Sequence, residues 1–261
     1  MDSMLNSMPE YYKTSDSYAE MLRNQDVNVF SPYINLFKQF ASPDSSVIDI
    51  GCGVGTSTLL LRQAGFDAMG TDVSEKFLPA TKDRFCAVDF QNAVDIPSNT
   101  YSAVGTMNVI EHVERPQNFL SEIVRVVRPG GKIILMAPNL TSPLVPVGII
   151  RDLLKKRTPY MGITSFSEAC ALLGANFWRS LRAELGCNTF EMRQPILDNG
   201  IVGYDADAVY WTNATEIRRF LESKNCKIIC FQKQGNSMAS RLIANLVPGF
   251  AGKLCIVAQK S

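Results

Sequence analysis

The sequence predicts an α/β protein with a doubly wound, mostly parallel sheet, helices on both faces and an inserted helical cap. Short apolar segments alternate with amphipathic helical segments from residue 46 onward, as expected for strands buried on both faces. A glycine-rich turn joins the first of these strands to a helix. Residues 139–213 interrupt the alternation, and a stretch of that length is too long for a simple connection, so we interpret it as the cap.

Residues 1–45 are predicted to form a helical lead-in to the sheet. Apolar residues recur there at helical spacing: Phe30, Ile34, Phe37 and Phe40. Pro43 closes the segment, because proline cannot continue a helix. The first strand is therefore expected directly afterwards.

The remaining elements follow from apolar segments and their boundaries. Strands are predicted at Ser46–Ile50, Asp67–Asp72, Phe85–Asp89, Ala103–Asn108, Lys132–Ala137, Cys226–Gln232 and Lys253–Ala258. Helical segments are predicted after the glycine turn, around Glu75–Lys82, and at Pro116–Val127, Glu168–Gly174, Phe177–Leu185, Ala214–Lys224 and Ser237–Leu246, the last as a helical hairpin. We interpret residues 1–261 as a single domain.

Composition narrows the class of protein. Hydrophobic residues make up 46% and charged residues 20%, which is typical of a globular domain with a large core. Lys and Arg total 26 against 25 Asp and Glu, so no basic surplus favours nucleic acid binding. The sequence lacks a signal-like leader and an apolar run of ~18 residues, which predicts a cytoplasmic protein without an integral membrane segment.

The glycine-rich turn carries the most specific signal. Gly51, Gly53 and Gly55 follow an apolar strand at Gly-x-Gly-x-Gly spacing, whereas dinucleotide sites use Gly-x-Gly-x-x-Gly. Asp49 stands two residues before the first glycine. A carboxylate there would repel a pyrophosphate but would favour the ammonium and sulfonium of S-adenosylmethionine. The alternative is that Asp49 only orders the loop.

Two further acids are predicted at carboxyl ends of strands, where open α/β sheets bind ligands. Asp72 could accept hydrogen bonds from both ribose hydroxyls, or it could cap a following helix. Asp89, followed by the aromatic Phe90, suits an adenine, with the carboxylate on the exocyclic amino group and the ring beside the base.

These motifs resemble the class I S-adenosylmethionine-dependent methyltransferases, of small-molecule type. The resemblance covers 46–138 well and 214–258 more weakly, and it includes the segments Asn108–Val113 and Val127–Gly131. It implies a Rossmann-like seven-stranded sheet with an antiparallel last strand, and S-adenosylmethionine as cofactor. It also implies these cofactor-binding residues: Asp49, Gly51, Cys52, Gly53, Gly55, Asp72, Val73, Asp89, Phe90, Asn108 and Val109, the last two at the methionine end.

The expected reaction is O- or N-methylation of a small acceptor, which could be attached to a lipid or glycan, with the cap 139–213 forming the acceptor pocket. Tyr160, Tyr204, Tyr210 and Trp211 could wall that pocket or simply pack. Two other hypotheses stay open. An NAD-dependent oxidoreductase would use a similar fold, and a catalytically silent S-adenosylmethionine-binding protein would keep the same site.

His112, the single histidine of the chain, is the candidate catalytic residue. It could serve as a general base, contact the substrate or play a structural part. Glu111 beside it could in principle help to bind a divalent metal, but the sequence identifies no third ligand. We therefore predict no metal site.

Overall fold

Strands and helices alternate along the chain in the computed structural model, which describes residues 8–79, 82–157, 160–187, 189–197, 204–231 and 248–261. The strands are β1 (Ser46–Ile50), β2 (Asp67–Asp72), β3 (Phe85–Ala87), β4 (Tyr101–Met107), β5 (Val127–Pro138), β6 (Cys226–Phe231) and β7 (Lys253–Lys260). The α-helices are α1 (Met8–Thr14), α2 (Asp16–Arg23), α3 (Ser31–Phe40), α4 (Thr56–Gln63), α5 (Pro116–Val126), α6 (Leu144–Leu154), α7 (Phe166–Glu184) and α8 (Ala214–Ser223). Short 3₁₀-helices cover Val27–Phe30, Lys82–Arg84, Ile110–His112 and Pro248–Phe250.

The seven strands form one sheet in the order β3-β2-β1-β4-β5-β7-β6. β1 pairs in parallel with β2 on one side and with β4 on the other, and β2 pairs in parallel with β3. The order of the strands therefore reverses between β1 and β4, and open α/β sheets bind their ligands at such a reversal, beyond the carboxyl ends of the strands. The predicted α/β class with a seven-stranded sheet is confirmed.

One predicted helix is wrong. Residues 75–77 form a turn in place of the helix expected around Glu75–Lys82, and the backbone N–H of Phe77 donates to the carbonyl of Ser74 at 3.2 Å. Pro79 explains the failure, because proline lacks an amide hydrogen and disfavours the helical conformation of the residue before it. Among the described residues between β2 and β3, the 3₁₀-helix Lys82–Arg84 is the helical element.

The ends of β3 and α7 also differ from the predicted boundaries. β3 ends two residues before the predicted Asp89, whose side chain instead accepts a hydrogen bond from the backbone N–H of Gln91 at 3.0 Å and forms a turn. The two helical stretches predicted between residues 168 and 185 form the single helix α7. A capping box between Ser165 and Glu168 begins it. The predicted hairpin Ser237–Leu246 lies outside the described residues.

The chain divides into two compact units. The first comprises residues 1–109 and 113–134 with Lys260, and the second comprises 110–112 and 135–259 with Ser261. Within the described residues, the first unit contains α1 to α5 with β1 to β4, and the second contains α6 to α8 with β6 and β7. No described helix has both the length and the apolar character needed to cross a bilayer. The single-domain interpretation and the cap boundaries 139–213 stay predictions.

The lead-in helix α3 is built into the core of the first unit. Tyr33 and Phe37 are fully buried, and their rings meet edge to face with centroids 5.2 Å apart. They occupy the space above Gly105 of β4, where an added Cβ would lie 2.1 Å from the Tyr33 hydroxyl and 2.4 Å from the Phe37 ring. The absence of a side chain at Gly105 therefore lets α3 approach the sheet.

We expect Gly105→Ala to destabilise the protein by about 1–3 kcal/mol, because the new methyl group must displace two buried rings. The same exchange at Gly174 is the matched control, since nothing lies within 4 Å of a Cβ added there on α7. Alanine should be neutral or stabilising at that helical position. Denaturant unfolding of both variants measures the difference, and equal effects would contradict the packing argument.

Candidate functional site

The loop between β1 and α4 requires its glycines. Gly51, Gly53 and Gly55 have φ angles of 72°, 54° and 84°, which only glycine adopts readily. A Cβ on Gly51 would lie 2.2 Å from a methyl group of Val109, and one on Gly55 would lie 2.7 Å from the ring of Phe85. The loop therefore lies with bare backbone against its neighbours at the carboxyl end of β1.

The backbone N–H groups of this loop are already engaged within the protein. Gly51 and Cys52 both donate to the carbonyl oxygen of Thr71, at 2.7 and 2.9 Å. Gly53 donates to Oδ2 of Asp72 at 2.9 Å, and Gly55 donates to the carbonyl oxygen of Cys52 at 2.9 Å. A phosphate-binding loop presents such groups to its ligand instead. These four donors are therefore not free to bind a pyrophosphate.

Asp49 lies beneath the loop, 2% exposed. Its carboxylate accepts hydrogen bonds from the hydroxyls of Tyr33 at 2.7 Å, Ser57 at 2.6 Å and Thr58 at 2.7 Å. Burial raises the pKa of Asp49, and the three hydrogen bonds oppose that rise. These contacts favour the alternative that Asp49 orders the loop, and its direct part in cofactor binding stays a prediction.

Asp72, at the end of β2, is also buried and holds two backbone groups. Oδ2 accepts from the N–H of Gly53, and Oδ1 accepts from the N–H of Ser74 at 3.0 Å. Burial raises the pKa of this carboxyl, and the same backbone hydrogen bonds oppose the rise. A carboxylate has about four acceptor positions, so each oxygen keeps one for a ligand hydroxyl. The geometry suits the predicted ribose contact.

Asp89 and Phe90 follow β3, the first half-buried and the second 2% exposed. Besides the N–H of Gln91, the Asp89 carboxylate accepts from the side-chain amide of Asn92 at 2.7 Å. Buried Gln91, which sequence analysis missed, accepts from the N–H of Glu114 at 2.6 Å. It thereby fixes the chain after residue 113. Its position beside the predicted adenine residues is the one signal that could have identified it.

The remaining predicted cofactor residues follow β1, β2 and β4. Val73 directly follows β2 and is half-buried, and Cys52 is buried in the glycine loop, where burial raises the pKa of its thiol. Asn108 follows β4 in a left-handed conformation with φ 54°, and its side chain is exposed. Val109 packs on Gly51. The structure thus brings all the predicted cofactor residues into the first unit.

The sequence and the fold both resemble those of known proteins. Residues 48–135 match the family model described as a methyltransferase domain. These residues are therefore similar to a methyltransferase domain. The cofactor of such a domain is S-adenosylmethionine. The magnesium protoporphyrin IX methyltransferase of Synechocystis PCC 6803, solved with bound SAH, shares the fold at a TM-score of 0.56 and 17% identity, covering 97% of this chain and 98% of that one.

Curated relatives match part of this chain. A demethylmenaquinone methyltransferase from Renibacterium salmoninarum is 32% identical over 99 residues, which is 36% of this chain and 42% of the relative. A ubiquinone biosynthesis O-methyltransferase from Methylococcus capsulatus is 29% identical over 35% of this chain and 43% of its own length. The chain thus spans less than half the length of these relatives.

The second unit contains a separate cluster of ionisable groups around Glu111 and His112. Nε2 of His112 lies 3.8 Å from Oε1 of Glu111, and its Nδ1 lies 3.5 Å from Oδ2 of Asp207. Burial opposes the charged form of His112, but the carboxylates of Asp207, Glu111 and Asp205 outweigh it and raise the pKa of the imidazole. Burial, with the charges of Asp205 and Asp207, raises the pKa of Glu111 to about 8.

The aromatic residues proposed for an acceptor pocket have different surroundings. Tyr210 is fully buried and stacks on Phe190, with ring centroids 5.7 Å apart, so it is a packing residue. Trp211 lies against the guanidinium of Arg179, at 4.3 Å, and more loosely against that of Arg193. Tyr160 donates a hydrogen bond to Asp205, and Tyr204 is exposed.

We expect Tyr33→Phe to lower the free energy of unfolding by about 1–3 kcal/mol, because the buried Asp49 carboxylate loses one of three donors. Tyr101→Phe is the control, since among the described residues that half-buried hydroxyl has one hydrogen bond, to the weakly accepting sulfur of Met69 at 3.6 Å. Denaturant melts give both values. A Tyr33→Phe variant as stable as Tyr101→Phe would refute the stabilising role of this hydrogen bond.

Proposed function

We propose that this chain transfers the methyl group of S-adenosylmethionine to a small-molecule acceptor. One observation supports it beyond the family match. Four N–H groups of the glycine loop are used inside the protein, while acids stand at the ends of the strands around it. Such a site lacks the free donors that a pyrophosphate needs, and it suits a ligand that is positively charged at one end.

The acids around the loop have separate parts in this proposal. Asp72 binds the ribose hydroxyls through the acceptor positions that Gly53 and Ser74 leave free. Asp89 and Phe90 hold the adenine, and exposed Asn108 contacts the methionine end. Asp49 acts through the loop and the start of α4 as a positioning residue, because its oxygens are engaged by hydroxyl groups.

Methyl transfer from a sulfonium is an in-line displacement. The bond between sulfur and the methyl carbon breaks while a bond from that carbon to an acceptor oxygen or nitrogen forms. The acceptor loses its proton, and S-adenosylhomocysteine leaves. Positioning the two reactants supplies most of the acceleration. We assign His112 to the acceptor side of this reaction, since it is the single histidine of the chain.

The acceptor class is proposed from the relatives and from the segment 139–213. The relatives are named for demethylmenaquinone, for ubiquinone biosynthesis and for a phytyl hydroquinone. We propose an aromatic hydroxyl compound of this kind, free or attached to a lipid, with the segment 139–213 forming the acceptor pocket. An acceptor attached to a glycan is the alternative.

An NAD-dependent oxidoreductase is the rival from another enzyme class. Calorimetry should show binding of S-adenosylmethionine and S-adenosylhomocysteine and none of NADH. We expect Asp72→Asn to lower the affinity for S-adenosylmethionine and S-adenosylhomocysteine about ten- to a hundredfold, because a hydrogen bond to a charged group contributes about 1.5–3 kcal/mol. The control is Asp95→Asn, an exposed acid in the same unit. Tight NADH binding, or equal affinities in the two variants, would refute this assignment.

A catalytically silent binding protein is distinguished by turnover. Incubation with S-adenosylmethionine carrying a labelled methyl group and a panel of hydroxylated quinones and phenols should label an acceptor. His112→Ala should lose most of that turnover while its affinity for S-adenosylmethionine stays within about twofold of the original protein. Full turnover in His112→Ala would remove the histidine from the acceptor side, and binding without any labelling would support the silent protein.

A further inference from the structure

Three donor groups converge in the second unit, away from the glycine loop in sequence. Glu111 and His112 lie on the 3₁₀-helix Ile110–His112, and Asp205 lies in the segment that leads to α8. One ligand atom from each lies within 4.8 Å of the other two. Two carboxylate oxygens and one imidazole nitrogen at this separation can reach a single ion.

Glu111 is the second observation that points to a ligand. The residue is fully buried, and neither carboxylate oxygen has a hydrogen-bond partner among the described residues. Asp49 and Asp72, two other buried acids, each accept at least two hydrogen bonds. The imidazole of His112, 3.8 Å away, is beyond hydrogen-bond distance. A buried carboxylate without hydrogen bonds is costly, so a cation that contacts both groups is expected.

The groups behind the three donors hold them in place. Asp207 faces Nδ1 of His112, which leaves Nε2 on the side of Glu111. A carboxylate on the far nitrogen is the usual partner of a metal-bound histidine, because it fixes the tautomer and orients the ring. Tyr160 donates to the carboxylate of Asp205, and Arg193 donates to its backbone carbonyl at 2.9 Å.

We propose that Glu111, His112 and Asp205 bind one divalent metal ion, with Asp207 and Tyr160 as the supporting outer partners. Donors of this type suit Mn²⁺, Fe²⁺ and Zn²⁺. Three protein ligands leave at least one coordination position for water or a ligand oxygen, as in catalytic rather than structural sites. The metal site rests on the proposed function in one respect: His112 acts on the acceptor side of the reaction, and it does so as a metal ligand.

Glu111 and His112 are adjacent in the sequence, whereas Asp205 is brought to them by the fold. Tyr204 and Asp205 have φ angles of 54° and 55°, so the chain turns sharply there and aims the aspartate at the 3₁₀-helix. The carbonyl of Glu111 in turn accepts from the N–H groups of Val209 and Tyr210. The segment that supplies the third ligand is thus attached to the segment that supplies the first two.

The test is metal binding by the whole, untagged chain, with Mn²⁺ as the probe, because the chain has seven free cysteines that would bind Zn²⁺. Protein freed of metal by chelator dialysis is titrated with MnCl₂, and the loss of the free Mn²⁺ electron paramagnetic resonance signal gives the stoichiometry. We expect one ion per chain and a rise in Tm with MnCl₂.

Glu111→Gln and Asp205→Asn should each lower the affinity for Mn²⁺ at least about a hundredfold, and Asp207→Asn should lower it about ten- to a hundredfold. Glu222→Gln, an exposed acid on α8, is the matched control and should bind like the original protein. Circular dichroism melts establish that each variant is folded, and Glu111→Gln keeps the shape of the buried side chain.

Equal Mn²⁺ affinity in the original protein, Glu111→Gln and Asp205→Asn would overturn the proposal, as would the absence of a bound ion at millimolar MnCl₂. Stabilisation by methylammonium chloride but not by MnCl₂ would also overturn it, in favour of an organic cation. S-adenosylmethionine affinity is measured in parallel. If the original protein binds S-adenosylmethionine but not Mn²⁺, the metal site alone is refuted. If the original protein does not bind S-adenosylmethionine, the proposed function is refuted.

Discussion

The buried carboxylate of Asp49 is the interaction on which the cofactor end of the sheet depends. An ion of this kind in the protein interior costs several kcal/mol unless hydrogen bonds replace its water. The replacement comes from two sides, the hydroxyl of Tyr33 on α3 and those of Ser57 and Thr58 at the start of α4. The acid therefore joins the lead-in helix, the first strand and the helix after the glycine loop.

The direction of the loop amides separates two classes of nucleotide site that share a fold. In a dinucleotide site the backbone donors of the first turn face the ligand. Here Thr71 and Asp72 accept those donors, so the turn is closed by its own protein and presents carboxylate oxygens in their place. Glycine is needed in this turn for two reasons. The backbone is left-handed at Gly51, Gly53 and Gly55, and a side chain on Gly51 would collide with Val109.

The sequence was sufficient for the positions of the strands and for the acids at or near their carboxyl ends, because apolar alternation and glycine spacing are local signals. It failed at Glu75–Lys82, where Pro79 outweighs the helical pattern. Ser57 and Thr58 could have been found from their place after the loop. Tyr33 could not, since its contact with Asp49 depends on how closely α3 packs on Gly105.

The cluster of Glu111, His112 and Asp205 was even harder to predict from the sequence. Glu111 and His112 are adjacent, and their chemistry is visible in the sequence. Asp205 comes from a segment without strand or helix periodicity, and only the turn at Tyr204 brings it near them. Contacts between parts of the chain that are distant in sequence carry no local signature, so a set of ligands assembled in this way is found only in three dimensions.

The placement of the cysteines has a practical consequence for attaching probes to the protein. Cys170 and Cys187 are exposed in the second unit, whereas Cys52 is buried in the glycine loop with the pKa of its thiol raised by burial. Thiolate is the form that reacts with maleimides and iodoacetamides. Fluorophores or spin labels will therefore attach first at the two exposed positions, so distance measurements can report on that unit while the turn beside β1 stays chemically unaltered.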